Sequence, residues 1–147
     1  MSGATADQIQ RGVAAAFRLV PGINSAVAYL EQPPPSLPCA VVLPAARSVQ
    51  WAPDGAILHR YDLHVWVLAT TDTSATELVA LLTTLSEAVW STLLLHVGAC
   101  GTTTALYCQR IEPSVTTYLK QRYAALDVAI SVEDERAELP DLGSVLV

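Results

Sequence analysis

Positive charge is scarce in this sequence: eight Lys and Arg residues in 147, with Lys120 the single lysine. Affinity for nucleic acid rests on clustered Lys and Arg, so a chain with 14 acidic residues and a net charge of −6 is not one that grips a phosphate backbone. Cysteine is scarce too. Cys39, Cys100 and Cys108 form no C-x-x-C pair and leave an odd thiol in any disulfide scheme, which suits a reducing compartment. Charged residues of both signs amount to 15%, against a globular norm of about 25%. Long apolar runs are missing: none approaches the ~18 to 20 residues that span a bilayer, and "MSGATADQIQRG" has no basic-then-apolar signal pattern. The expectation is a soluble protein assembled in the cytoplasm, without a membrane partner. The patterns G-x-x-x-x-G-K-[ST], G-x-G-x-x-G and G-x-S-x-G are absent as well, so nucleotide binding and hydrolase chemistry have no motif to stand on.

What is abundant is apolar surface, at 52% of residues, which excludes disorder. The length fits one domain with a real core. Apolar area that so small a domain cannot enclose tends to be covered by other subunits, which points to an oligomer or assembly component. The acids are unevenly placed. Residues 133–147 hold Glu133, Asp134, Glu135, Glu138 and Asp141 against Arg136 alone, so the body is nearly neutral. The expected organisation is an α+β domain over residues 1–133 followed by an acidic C-terminal arm, 134–147. Leu142, Val145, Leu146 and Val147 close that arm, which reads either as a solvated end or as a segment that docks on a neighbour.

Along the chain, Ile9, Val13, Ala16, Phe17 and Val20 recur at helical spacing, and Pro21-Gly22 stops that helix. Residues 23–31 read as a short strand or irregular chain. "QPPPSLP" imposes an extended loop, because each proline fixes its own φ and disfavours αR before it. "CAVVLP" reads as a short buried strand. Pro53-Asp54-Gly55 between two strand-like runs predicts a β-hairpin: Pro presets φ, Asp caps the turn and Gly takes positive φ. Ser74 and Glu77 have capping-box spacing and open a second helix, with Leu78, Leu81, Leu82, Leu85 and Val89 on its apolar face. That helix runs to about Leu94, and Gly98 and Gly101 mark a loop. Two strands follow, "ALYCQRIEP" and "RYAALDVAISVE", with "SVTTYLKQ" between them. The fold class expected is α+β: a small mixed or antiparallel sheet that includes a hairpin, backed by two helices.

The segment "HRYDLH" gathers His59, Arg60, Asp62 and His64 within six positions. Strand alternation separates them, since Tyr61, Leu63, Val65 and Val67 share one face with His59 while Arg60, Asp62, His64 and Trp66 share the other. A zinc site would need His64 and Asp62 to recruit a distant group such as His96 or Cys108, and H-E-x-x-H is missing. The favoured reading is a solvated or subunit-facing strand surface, with no catalytic, cofactor or metal site. A cysteine nucleophile with one of the histidines is formally possible, but buried free cysteine in a strand is the commoner situation, as "CAVV" indicates for Cys39. Trp51 stands two residues before the turn proline, either as local packing or as an anchor for a neighbour. Trp66 lies on a polar strand face and so needs a helix or a partner over it. Trp90 is expected to flank the core. The residues assigned to a subunit or partner interface are Trp51, Asp54, Arg60, Asp62, His64, Trp66, Glu133, Asp134 and Glu135.

The opening helix "IQRGVAAAFRLVPGI", the loop and strand "PSLPCAVVLP", the PDG turn leading into "RYDLHVWVLATTDTSATELVALLTTLSEAV", and the closing "YLKQRYAALDVAISVE" together carry a resemblance. Over about residues 5–133 the chain resembles the tail terminator, or tail completion, proteins of long-tailed bacteriophages, the lambda-type minor tail family. The resemblance implies a non-enzymatic virion protein that forms a ring, commonly a hexamer. Such a ring caps the tail tube protein, stops its polymerisation and offers the surface on which the head-tail connector docks, while DNA passes the lumen without tight binding. Ring proteins of the neck, connectors and stoppers, share similar small folds, so either role fits the resemblance. A small cytosolic enzyme or ligand-binding domain using Asp62 and His64 is the reading from another class. The segment after Glu133 departs from the family pattern.

Overall fold

A computed structural model describes residues 6–29, 33–51, 53, 55, 57–71, 77–95 and 104–136. Helix α1 (Ala6–Arg18) buries Ile9, Val13, Ala16 and Phe17, the positions that its 3.6-residue period places on one side. Its last turn tightens: Leu19 N and Val20 N donate to the carbonyls of Ala16 and Phe17, each at 3.1 Å, so the chain leaves the helix with those groups satisfied. Gly22 then takes φ 91°, a left-handed conformation that favours glycine, and a side chain there would also meet Leu85 Cδ2 at 3.3 Å.

Strands β1 (Ser25–Ala28) and β2 (Cys39–Val42) pair in parallel, and the proline-rich loop joins them. Prolines donate nothing, and the loop carbonyls accept from residues at the start of β1 instead. Asn24 Nδ2 donates to Leu37 O at 2.7 Å, and Ser25 Oγ to Ser36 O at 2.8 Å. Strand β3 (Ala46–Trp51) and the 14-residue β4 (Ile57–Thr70) form the expected antiparallel hairpin. Helix α2 (Glu77–Leu95) follows, then β5 (Thr104–Tyr118) and β6 (Gln121–Arg136). The capping pair Ser74 and Glu77 falls partly outside the described residues, as do Gly98 and Gly101.

The six strands form one mixed sheet in the order β1-β2-β4-β6-β5, with β3 also on β4. Strands β2 and β3 lie end to end along the same side of β4, facing residues 65–68 and 57–62 respectively. Both helices cover one face. There Tyr61, Leu63, Val65 and Val67 of β4 meet Leu126, Val128, Ile130 and Val132 of β6 under Val13, Phe17, Leu85, Val89 and Leu93. A smaller cluster on the opposite face unites Val27, Cys39, Val41, Leu68, Tyr118, Tyr123 and Ala125. Strand β2 therefore has all four residues buried, Ala40 and Val42 in the main core and Cys39 and Val41 in the smaller one, which is why "CAVV" reads as an unbroken apolar run. The α+β class, with a mixed sheet and two helices, is the architecture observed.

Three expectations need correction. "SVTTY" continues β5 rather than separating two strands. Val115, Thr116, Thr117 and Tyr118 are strand formers, and Tyr118 is buried in the smaller cluster. The connection is the two residues Leu119 and Lys120, with φ 49° and 69°, the positive pair that a tight hairpin twisted to match its strands requires. Next, β6 runs past the expected boundary at 133: Asp134 pairs His59 in register and Arg136 pairs Ile57. Lastly, α2 has the length and apolar composition that crossing a bilayer requires, although Thr, Ser and Glu interrupt it. The stretch Glu77–Leu94 is 28% buried, where α2 lies against β5 and β6.

Candidate functional site

Alternation along β4 puts Arg60, Asp62, His64 and Trp66 on the face away from the helices, beside Glu133, Ser131, Ala129 and Asp127 of β6 by register. The structure brings these predicted residues together. His64 Nδ1 lies 2.7 Å from Asp127 Oδ1, and Arg60 Nε donates to Asp62 Oδ1 at 3.0 Å. On β5, Arg110 and Glu112 approach at 3.5 Å. The face thus carries two ion pairs and a histidine–carboxylate hydrogen bond, its polar groups already partnered among themselves. Exposed pairs of this kind are worth about 0 to 1 kcal/mol each, so they act on what binds the face more than on stability. Trp66 is half-buried by an edge-on contact with Tyr29, ring centroids 5.7 Å apart, and Tyr29 in turn lies 5.9 Å from Tyr118. The cover that Trp66 needed is intramolecular.

His59 belongs to a different site on the helix-bearing face, where it is 7% exposed. Arg47 donates to its Nδ1 through Nε at 3.1 Å and lies 2.7 Å away through Nη2, while the guanidinium also sits 5.6 Å above the Tyr61 ring. Arginine can only donate, so Nδ1 accepts and the ring proton resides on Nε2. Asp134 stands opposite His59 and is fully buried, which places it inside the domain rather than in an exposed arm. The signal for it was present: extending the alternation Leu126, Val128, Ile130, Val132 by one step reaches Asp134 on the core face. Glu133 is half-buried on the bare face, Asp54 lies outside the described residues, and Glu135 is placed on β6 by its backbone alone.

Chemically, these groups bind and orient more readily than they react. Ser131 shares the bare face with His64 and Asp127, but its Oγ is buried and makes no hydrogen bond, so the nucleophile-to-base contact of a hydrolytic triad is not made. Burial pushes the thiols of Cys39 and Cys108 up from the ordinary 9.0, outweighing a hydrogen bond from Ser25 to the first and from the Arg110 backbone to the second. Such thiols are poor nucleophiles. No group of three or more His, Cys, Asp and Glu suited to a metal occurs among the described residues; His96 and Cys100 lie outside them.

Large apolar groups are exposed singly at Leu19 and Leu119, on β5 at Tyr107 and Val115, and most prominently on β3 and α2. Strand β3 is exposed at all six residues, with Val49 at 47% and Trp51 at 62%. Helix α2 exposes Val79 at 72%, Leu94 at 56% and Trp90 at 43%, so Trp90 faces outward instead of flanking the core. Comparison with known proteins adds no relative: no family model and no curated protein matches the chain.

Proposed function

We infer that the chain is a structural virion protein that closes into a ring on the end of a phage tail tube, arrests its growth and presents a docking surface to the head connector. The observation that carries this reading is the hairpin strand β3, which holds Val49 and Trp51 out of the domain on a chain with few charges to keep it monomeric. An anchor exposed on one flank of a subunit suits head-to-tail contacts, the kind that close rings. The acidic balance and single lysine suit a lumen that DNA crosses without adhering. The bare, charge-paired face of β4 and β6 remains for the tube or the connector. Light scattering after size exclusion, over a range of concentrations and with tail tubes added, tests the proposal. A closed oligomer, or a monomer converted to one on tubes whose ends are then capped in electron micrographs, is the expected result. A strict monomer indifferent to tubes overturns it. Repeating the assay with connectors in place of tubes separates a terminator from a neck stopper.

A further inference from the structure

A groove runs between α2 and the outer strand β5 on the flank opposite the β3 hairpin. It consists of two hollows of about 220 and 230 Å³ that share Ser86 and Glu87 as a common wall. Val79, Leu82 and Thr83 line one end with Pro113, and Trp90 lines the other with Ile111. Each hollow is smaller than the ~300 to 1,000 Å³ of a typical small-molecule site and has the scale of one or two side chains. Strand β5 is also blunted as a pairing edge, by the irregularity between Cys108 and Arg110 and by Pro113, so an occupant enters by side chains rather than by adding a strand.

We propose that this groove receives Val49 and Trp51 of a second copy of the chain. The hairpin and the groove both lie on the helix-bearing side of the sheet, since Trp51 pairs Ile57 and Val49 pairs His59 there. They sit at opposite flanks, because β4 and β6 intervene, roughly 14 Å of sheet at ~4.8 Å per strand. A rotation about one axis can therefore bring the hairpin of each subunit to the groove of the next, a contact between two different patches that repeats around a ring. Charge agrees with the fit. Arg47 is the one charged residue of β3 and lies on the Trp51 side. Glu87 in the groove wall makes no ion pair among the described residues, whereas Arg110 and Glu112 pair with each other. The exposed indole has the character of a hot spot, and Trp and Arg are the residue types that dominate such sites.

This inference rests on the ring reading, and the tests separate the two. Trp51→Ser removes the anchor and Ser86→Arg fills the groove; both positions are surface-accessible, and circular dichroism checks the fold of each variant. Each full-length variant alone is expected to lose self-association by roughly 30-fold or more, the effect of truncating a hot-spot residue. Mixed in equal amounts, they should form a dimer and nothing larger, because one variant keeps only its groove and the other only its anchor. Benzoylphenylalanine at position 51 should cross-link to residues 79–90 or 108–113 of another copy. If the wild type forms rings but the variants still do, or the cross-links map to another surface or to the tube protein, the inference is overturned while the ring reading stands. A wild-type protein that remains monomeric with and without tubes overturns both.

Discussion

At the scale of single residues, the site that sequence reasoning missed is the most tightly determined. Arg47 contacts a histidine that burial has stripped of water, and removing the guanidinium leaves Nδ1 of His59 without its donor. A buried acceptor left unmet costs about 1 to 3 kcal/mol. Arg47→Ala should lower the urea midpoint of the purified protein by an amount in that range, whereas Arg60→Ala, which breaks only an exposed pair with Asp62, should change it by under about 1 kcal/mol. Equal effects would show that the Arg47 contact is no better than a surface pair. The thiols allow a second test. Because burial raises the Cys39 and Cys108 values above the ordinary 9.0, unfolded chains release these protons first, and stability should fall as pH rises through that value. In a Cys100→Ser background, iodoacetamide should alkylate Cys108 at pH 8 several-fold more slowly in the folded than in the urea-unfolded protein. Equal rates would mean an open thiol.

At the scale of elements, legibility depended on whether a feature has a local cause. Pro53-Asp54-Gly55 announced its hairpin because each residue type sets a dihedral, and α1 announced itself because its apolar period is local too. The β5–β6 hairpin gave no such signal. Leu119 and Lys120 both adopt positive φ without being Gly or Asn, and the conformation is held by what the strands do: Tyr118 is buried in the smaller cluster, and the register with β6 continues from Tyr118 back to Ile111. Tertiary packing overrides turn preference here, so "SVTTYLKQ" looked like a linker. The same reasoning explains the misplaced boundary at 133, since an acidic run looks solvated unless alternation is carried through it to Asp134. If packing imposes that turn, relieving the local conflict should stabilise the chain. Leu119→Asn with Lys120→Gly, the residue pair that a tight hairpin favours, should add about 0.5 to 1 kcal/mol in urea unfolding. A loss would show that the exposed Leu119 makes a contact that the turn depends on.

At the scale of the whole molecule, the sheet divides the chemistry. One side carries the helices, the protruding hairpin and the groove along α2; the other carries polar groups partnered among themselves, ending in the Tyr29–Trp66–Tyr118 aromatic group. Composition foretold the surplus of apolar surface but not its distribution, because which residues of α2 are covered depends on which of them face β5 and β6. The charge balance, by contrast, could be read directly and makes a prediction for the molecule as a whole. Of seven arginines and Lys120, Arg47 engages His59, while Arg11, Arg60 and Arg110 each pair with a carboxylate, which leaves few cations to displace the counterions of DNA. Fluorescence anisotropy with a labelled duplex at about 50 mM salt, where even weak phosphate contacts are felt, should detect no binding at micromolar protein, and adding salt should change nothing. Tight binding with a steep salt dependence would require a concentrated cationic stripe. A ring through which DNA slides freely could not carry one, and the protein would then be a DNA-retaining plug of the neck.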